Sequence, residues 1–102
     1  MKLKLMILKN NNITGESNEN DSWEKIIEKV KEEYLELQEA IKEGDRPHIA
    51  EEAFDVQQMI IRIMALLEKE NLDLEQLGKR HNRKLVKRGW THSKIIRIFW
   101  DK

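Results

Sequence analysis

Apolar side chains recur along this chain in two long helical stripes and one shorter one. The first stripe is Trp23, Ile26, Ile27, Val30, Tyr34, Leu37 and Ile41, spaced so that all fall within one narrow arc of an α-helix. Asp21 is placed to cap this helix, Glu24 completes a capping box, and Gly44 ends the helix after about Glu43. The second stripe, Ile49, Ala53, Val56, Ile60 and Leu67, predicts a helix from Asp45 or Arg46 to about Glu70, with Pro47 tolerated in the first turn. Asn71 interrupts the pattern. Asp73 then caps a third helix from Leu74 to Arg88, with Leu74, Leu77, His81 and Leu85 as its stripe and Gly89 at its close.

The flanks are patterned differently. Residues 2–8 alternate loosely between lysine and apolar side chains and predict a short strand. Asn10 to Asn20 reads as a polar loop with nothing to order it. Ile95, Ile96, Ile98, Phe99 and Trp100 suit either a strand pairing with residues 2–8 or a last helical turn. The fold class that follows is all-α: an antiparallel helical hairpin plus a third helix, a helical bundle with short β terminal segments. It is a single domain over residues 1–102, with its helical core at about 22–90.

Helix two also predicts a partner. From Met59 to Leu67 only Arg62 is polar, so that stretch is apolar on nearly every side and needs cover on more than one. A small chain has little to spare for this, so the bundle is expected to be completed by dimerisation around helix two, as a homodimer or a higher homo-oligomer.

Composition narrows the setting. Charged residues make up 37% of the chain, but 19 basic residues balance 19 acidic ones, so no global field favours nucleic acid or an anionic membrane. The absence of cysteine removes disulfides and thiolate metal sites, which suits a reducing compartment. No segment is long and apolar enough to span a bilayer, and the apolar run at the N-terminus is too short for a signal peptide. A soluble cytoplasmic protein is expected.

The candidate chemistry lies in two acidic clusters, Glu32-Glu33-Tyr34-Leu35-Glu36 and Glu51-Glu52-Ala53-Phe54-Asp55. Each sets two carboxylates three residues apart, on neighbouring points of one helical face. Helical projection places Glu33 and Glu36 on the flank of the first stripe, in line with Ala40. It places Glu52 and Asp55 on the flank of the second, beside Met59, whereas Glu32 and Glu51 point outward. A Glu-rich chain yields Glu-x-x-Glu on solvated faces by chance. Two flank-placed pairs on consecutive antiparallel helices are harder to obtain that way, and four converging carboxylates need a cation such as Mg²⁺, with Mn²⁺ also suitable.

A basic run, Lys79 to Arg88, follows on helix three. Most of it reads as a solvated face near a helix C-terminus, where cations are favoured. Lys84 and Arg88, however, fall on the Leu77 side of the apolar stripe. Beside a carboxylate-bound cation, a lysine and an arginine suit a polyphosphate.

Glu-Glu-x-x-Glu (32–36), a spacer of 15 residues (37–51) and Glu-x-x-Asp (52–55) resemble the signature of the all-α nucleoside triphosphate pyrophosphohydrolases, the MazG-like superfamily. That superfamily includes dimeric dUTPases and phosphoribosyl-ATP pyrophosphohydrolases. Asn82-x-Lys84-Leu85-x-x-Arg88 is similar to an Asn-x-Lys-aromatic-x-x-Arg segment of MazG domains, with Leu85 where an aromatic is common. The resemblance covers roughly residues 22–90 and leaves both terminal segments outside the family core.

It implies Mg²⁺-dependent cleavage of the α–β phosphoanhydride of a (deoxy)nucleoside triphosphate to the monophosphate and pyrophosphate, a reaction suited to nucleotide-pool house-cleaning. Glu33, Glu36, Glu52 and Asp55 fall on the family's metal ligands, and Lys84, Arg88 and Asn82 on its phosphate-contacting positions. Glu36 is the candidate to orient or deprotonate the attacking water. Phosphoribosyl-ATP hydrolysis is the enzymatic alternative. A di-iron carboxylate bundle would want Glu-x-x-His pairs, which are absent. A non-enzymatic helical interaction or nucleic-acid-binding module is the alternative of a different class, and it predicts no dependence on metal. His48 and His81 are not needed by the chemistry, and Trp23 is expected in the core rather than in a base pocket.

Overall fold

The computed structural model describes residues 1–101 and contains three helices, α1 (Trp23–Glu43), α2 (Arg46–Lys69) and α3 (Leu74–Lys87). They divide between two compact units, one running from Met1 to Leu72 and the other from Asp73 onward. The all-α reading of the sequence holds, with helix ends close to those its caps predict.

In the first unit α1 and α2 form a hairpin joined only by Gly44 and Asp45. Gly44 adopts φ 79°, and its N–H reaches back to the Ala40 carbonyl. A side chain would be strained in this left-handed turn, so glycine ends α1 and reverses the chain in two residues. At the other end of α1 the cap differs from the one predicted. Ser22 is the N-cap, accepting from the Lys25 N–H, because the Asp21 carboxylate is taken by Arg62 of α2.

Both helices are rotated from the predicted orientation, toward their carboxylate flanks. The inner face of α1 is Ile26, Val30, Glu33, Leu37 and Ala40, with Ala40 wholly buried. On α2 Met59 is buried, and Glu52, Val56, Ile63 and Leu66 are half-buried. Ile27, Tyr34 and Ile41, all members of the predicted apolar stripe, are instead 70%, 56% and 56% exposed, and Ile60 of α2 is open as well. The apolar arc of each helix is wider than one neighbour covers. The hairpin closes along the small side, where Ala40 lets the backbones approach, and a broad apolar stripe is left outside.

The segment before α1 departs further from expectation. Among the described residues the sole β pairing is an isolated antiparallel bridge between Asn10 and Ser17. The strand predicted at 2–8 does not form, nor does a strand or helical turn at 95–100, because neither segment finds a ladder for its backbone groups. Residues 9–18, by contrast, make an ordered loop. The Asn11 N–H donates to the Glu16 carbonyl and the Asn18 N–H to the Lys9 carbonyl, both at 2.8 Å, while Asn11 Oδ1 accepts from Ile13 and Thr14. Such asparagine-to-backbone bonds hold a polar turn without burial. Gln58 of α2 anchors the segment by donating from Nε2 to the Met6 carbonyl at 3.1 Å.

In the second unit, Asp73 caps α3 by accepting from the Gln76 N–H, and Arg88 is the C-cap. Of the predicted α3 stripe, Leu74 and Leu85 are half-buried, whereas Leu77 and His81 are exposed.

Candidate metal centre

The hairpin determines where the acidic clusters meet. Glu33 and Glu36 stand on successive turns of α1, Glu52 and Asp55 on successive turns of α2, and one carboxylate oxygen from each lies within 4.8 Å of the others. Glu33 sits half-buried between Val30 and Leu37, and the Glu52 side chain is only 14% exposed. Glu36 and Asp55 stand at the exposed rim. Glu32 and Glu51, set aside on helical projection, are exposed, and Glu32 merely pairs with Lys29 at 3.4 Å.

Four carboxylates this close raise one another's proton affinity. Burial, then the charges of Glu36, Asp55 and Glu52, push the Glu33 carboxyl above its ordinary value. Glu52 is pushed up in the same way, by burial first and then by Glu36 and Asp55, with His48 pulling it back. Glu33 Oε2 and Glu52 Oε2 are buried without a hydrogen-bond partner. Leaving a buried acceptor unpaired is costly, and two of them in one cluster fit a site whose oxygens are turned toward a cation.

A divalent cation fits this donor set. Magnesium takes oxygen ligands at about 2.1 Å, so opposite ligands lie about 4.2 Å apart, within reach of these side chains after small adjustments. The cluster can thus hold a hard divalent cation, with Glu33 and Glu52 as inner ligands and Glu36 and Asp55 at the open side. Its chemistry suits Mg²⁺ or Mn²⁺ over softer metals.

Two neighbours escaped the sequence reading. His48 bridges Glu43 through Nδ1 at 3.3 Å and Glu52 through Nε2 at 3.4 Å. Desolvation works against its charge, yet Glu43 and Glu52 hold the imidazole above its usual value. The i,i+4 spacing of His48 and Glu52 was the available signal. Arg62, noticed as the single polar residue of an apolar run, is bound by Asp21 through Nε at 2.5 Å and Nη2 at 2.7 Å. That hydrogen-bonded guanidinium holds the Asp21 carboxyl below its ordinary value despite desolvation.

Trp23 is neither a core residue nor part of this cluster. It is 41% exposed and donates from Nε1 to the Glu70 carboxylate at 2.6 Å, tying the start of α1 to the end of α2. Asn82 and Lys84 lie on α3 and Arg88 caps it, all exposed and all in the second unit.

Comparison with known proteins adds one finding. The family model described as phosphoribosyl-ATP pyrophosphohydrolase matches residues 4–84. No curated protein and no solved structure gives a significant match. The matched span contains all four carboxylates, Asn82 and Lys84, and stops short of Arg88. It also starts well before α1, so the N-terminal segment lies inside the family region and not outside it, as the motifs alone suggested. By this match across most of its length, the chain belongs to the phosphoribosyl-ATP pyrophosphohydrolase family, and so to the MazG-like hydrolases that its acidic motifs resemble.

Proposed function

We propose that this protein is a Mg²⁺-dependent pyrophosphohydrolase that cleaves the α–β phosphoanhydride of phosphoribosyl-ATP, releasing pyrophosphate and the corresponding monophosphate. The family match favours this substrate over a free nucleoside triphosphate, the substrate that the motifs first suggested. The observation that carries the reaction type is the convergence of Glu33, Glu36, Glu52 and Asp55 from two helices. A bound Mg²⁺ supplies charge neutralisation for phosphate oxygens. Glu33 and Glu52 would hold it from the buried side, and Asp55 from the rim. Glu36, exposed beside them, is the base: it takes a proton from the water that attacks the α-phosphorus, and the β-phosphate oxygen leaves with the bonding pair.

Lys84, Arg88 and Asn82 enter this reading on their motif, as donors to phosphate oxygens. That motif is also what supports the second reading, a (deoxy)nucleoside triphosphate as substrate. The apolar stripe left open by Ile27, Tyr34, Ile41 and Ile60 supports a homodimer built on the hairpin.

The test is pyrophosphate release with Mg²⁺ from phosphoribosyl-ATP and from a panel of canonical and modified nucleoside triphosphates. Release from phosphoribosyl-ATP at the highest kcat/KM, abolished by chelation, is expected. Release of inorganic phosphate with a diphosphate product, or hydrolysis indifferent to chelation, would sink the assignment.

A further inference from the structure

We propose that the cavity beside the carboxylates is two-ended, and that Lys9, Lys29 and Arg62 form a second anion subsite. This subsite takes a substrate phosphate that is separate from the triphosphate chain. The inference rests on the reading above and deepens it, by naming the residues that would recognise a nucleotide with phosphates on both sides of its base.

A cavity of about 520 Å³ lies between the 9–18 loop and the two helices, with Glu33 and Asp55 in its wall. Successive turns of α2 line it with different chemistry: Asp55 first, Gln58 and Met59 one turn on, and Arg62 after two turns. Seven residues of helix place Arg62 about 10 Å along the axis from Asp55. The antiparallel α1 agrees, since Lys29 stands one turn from Glu33 in the same direction. Lys9 reaches the cavity from the loop. The wall therefore runs from carboxylates, through a neutral middle, to cations, over about the length of a nucleoside.

The cationic end is built to receive an anion. Arg62 is pinned by its two bonds to Asp21, and its Nη1 has no hydrogen-bond partner among the described residues. Lys9 pairs with Glu19 at 3.2 Å and Lys29 with Glu32 at 3.4 Å, both as exposed contacts that an ammonium group leaves at little cost. Glu16 also lines the cavity and opposes them. With Glu33 and Asp55 engaged by a cation, Glu16 is the one carboxylate left free in the cavity wall, and Lys9 and Lys29 can leave their exposed partners to meet an anion beside the Arg62 edge. The middle is neutral and suits a base: Met59 lines it with an apolar side chain, and Gln58 is committed through Nε2 to the Met6 carbonyl. An ordinary nucleoside triphosphate has nothing to place at the far end. Phosphoribosyl-ATP carries a phosphate there.

Calorimetry on the full chain with Ca²⁺ in place of Mg²⁺, so that the nucleotides are bound without turnover, tests this. Wild-type protein should bind phosphoribosyl-ATP about tenfold or more tighter than ATP. The double variant Lys9→Ala/Lys29→Ala should erase that difference, and Lys9→Arg/Lys29→Arg should restore it. Equal affinity of the wild type for the two nucleotides, no binding of either, or a difference that survives the alanine variant overturns the inference. Pyrophosphate release is followed in parallel with Mg²⁺. A preference for phosphoribosyl-ATP that depends on both lysines, without any release, leaves the second anion subsite standing and removes the catalytic reading.

Discussion

The hairpin draws charged side chains partly out of solvent in two places, and the two are solved in opposite ways. At the open end of the hairpin, Asp21 and Arg62 meet in a two-point ion pair whose side chains are 5% and 17% exposed. Further along, Glu33, Glu36, Glu52 and Asp55 converge with no lysine or arginine bound to them, and only His48 touches the group, at Glu52. Asp21 is driven toward ionisation by its partner, whereas Glu33 and Glu52 are driven away from it by their neighbours. Paired charges fasten the helices together. Unpaired ones keep a place ready and tax the fold while they wait.

The largest way to break the contrast is to disarm the open side of the carboxylate cluster. Glu36→Gln should cut pyrophosphate release by about a thousandfold, and Asp55→Asn should weaken Mg²⁺ dependence along with it, with the helical circular dichroism unchanged in both. A rate close to wild type in either variant would remove that residue from the site. Next comes the fastened pair. Arg62→Ala leaves Asp21 buried without its partner and should cost about 3 kcal/mol in chemical denaturation. A loss no greater than that of an exposed ion pair would show that the contact holds nothing.

The smallest effect separates the two regions by sign. Glu33 and Glu52 have raised folded-state values relative to 4.5, so the metal-free protein should lose stability as pH rises through that raised range. Asp21 is lowered relative to 3.8, so its contribution is present above that value and lost as pH falls below it. Thermal melts without metal should therefore decline from mildly acidic to neutral pH, and Mg²⁺ should restore the midpoint most at neutral pH. Glu33→Gln should flatten that decline and raise the metal-free midpoint by a few degrees. A lower midpoint for Glu33→Gln at neutral pH would reverse the proposed strain.

Much of this was written locally in the chain. Gly44, Asp73 and the apolar spacing place three helices, and the i,i+3 carboxylates are visible because helical geometry makes near neighbours of residues one turn apart. The rotation of the hairpin was not visible. Tyr34 and Ile41 are as apolar as any core residue, and only the close approach at Ala40 decides which side of a wide stripe is covered. The 9–18 loop was missed for a different reason. Its order comes from Asn11 bonding its own backbone and from Gln58 reaching the Met6 carbonyl across 52 positions of sequence, and no periodicity reports either. Arg62 was seen as a gap in an apolar run, and Asp21 as a cap, because their pairing depends on the fold that joins them.

Ala40 carries a consequence for how this site could change over time. It is wholly enclosed and lies one turn beyond Glu36 on the same helix. The gauge of the carboxylate cluster is therefore set by a methyl group that touches no ion. A larger residue there would splay the hairpin near its turn and draw Glu36 away from Glu52, loosening the grip on a small cation with all four carboxylates still present in the sequence. Metal preference in such a hairpin can drift through its spacer, with its chemistry left untouched.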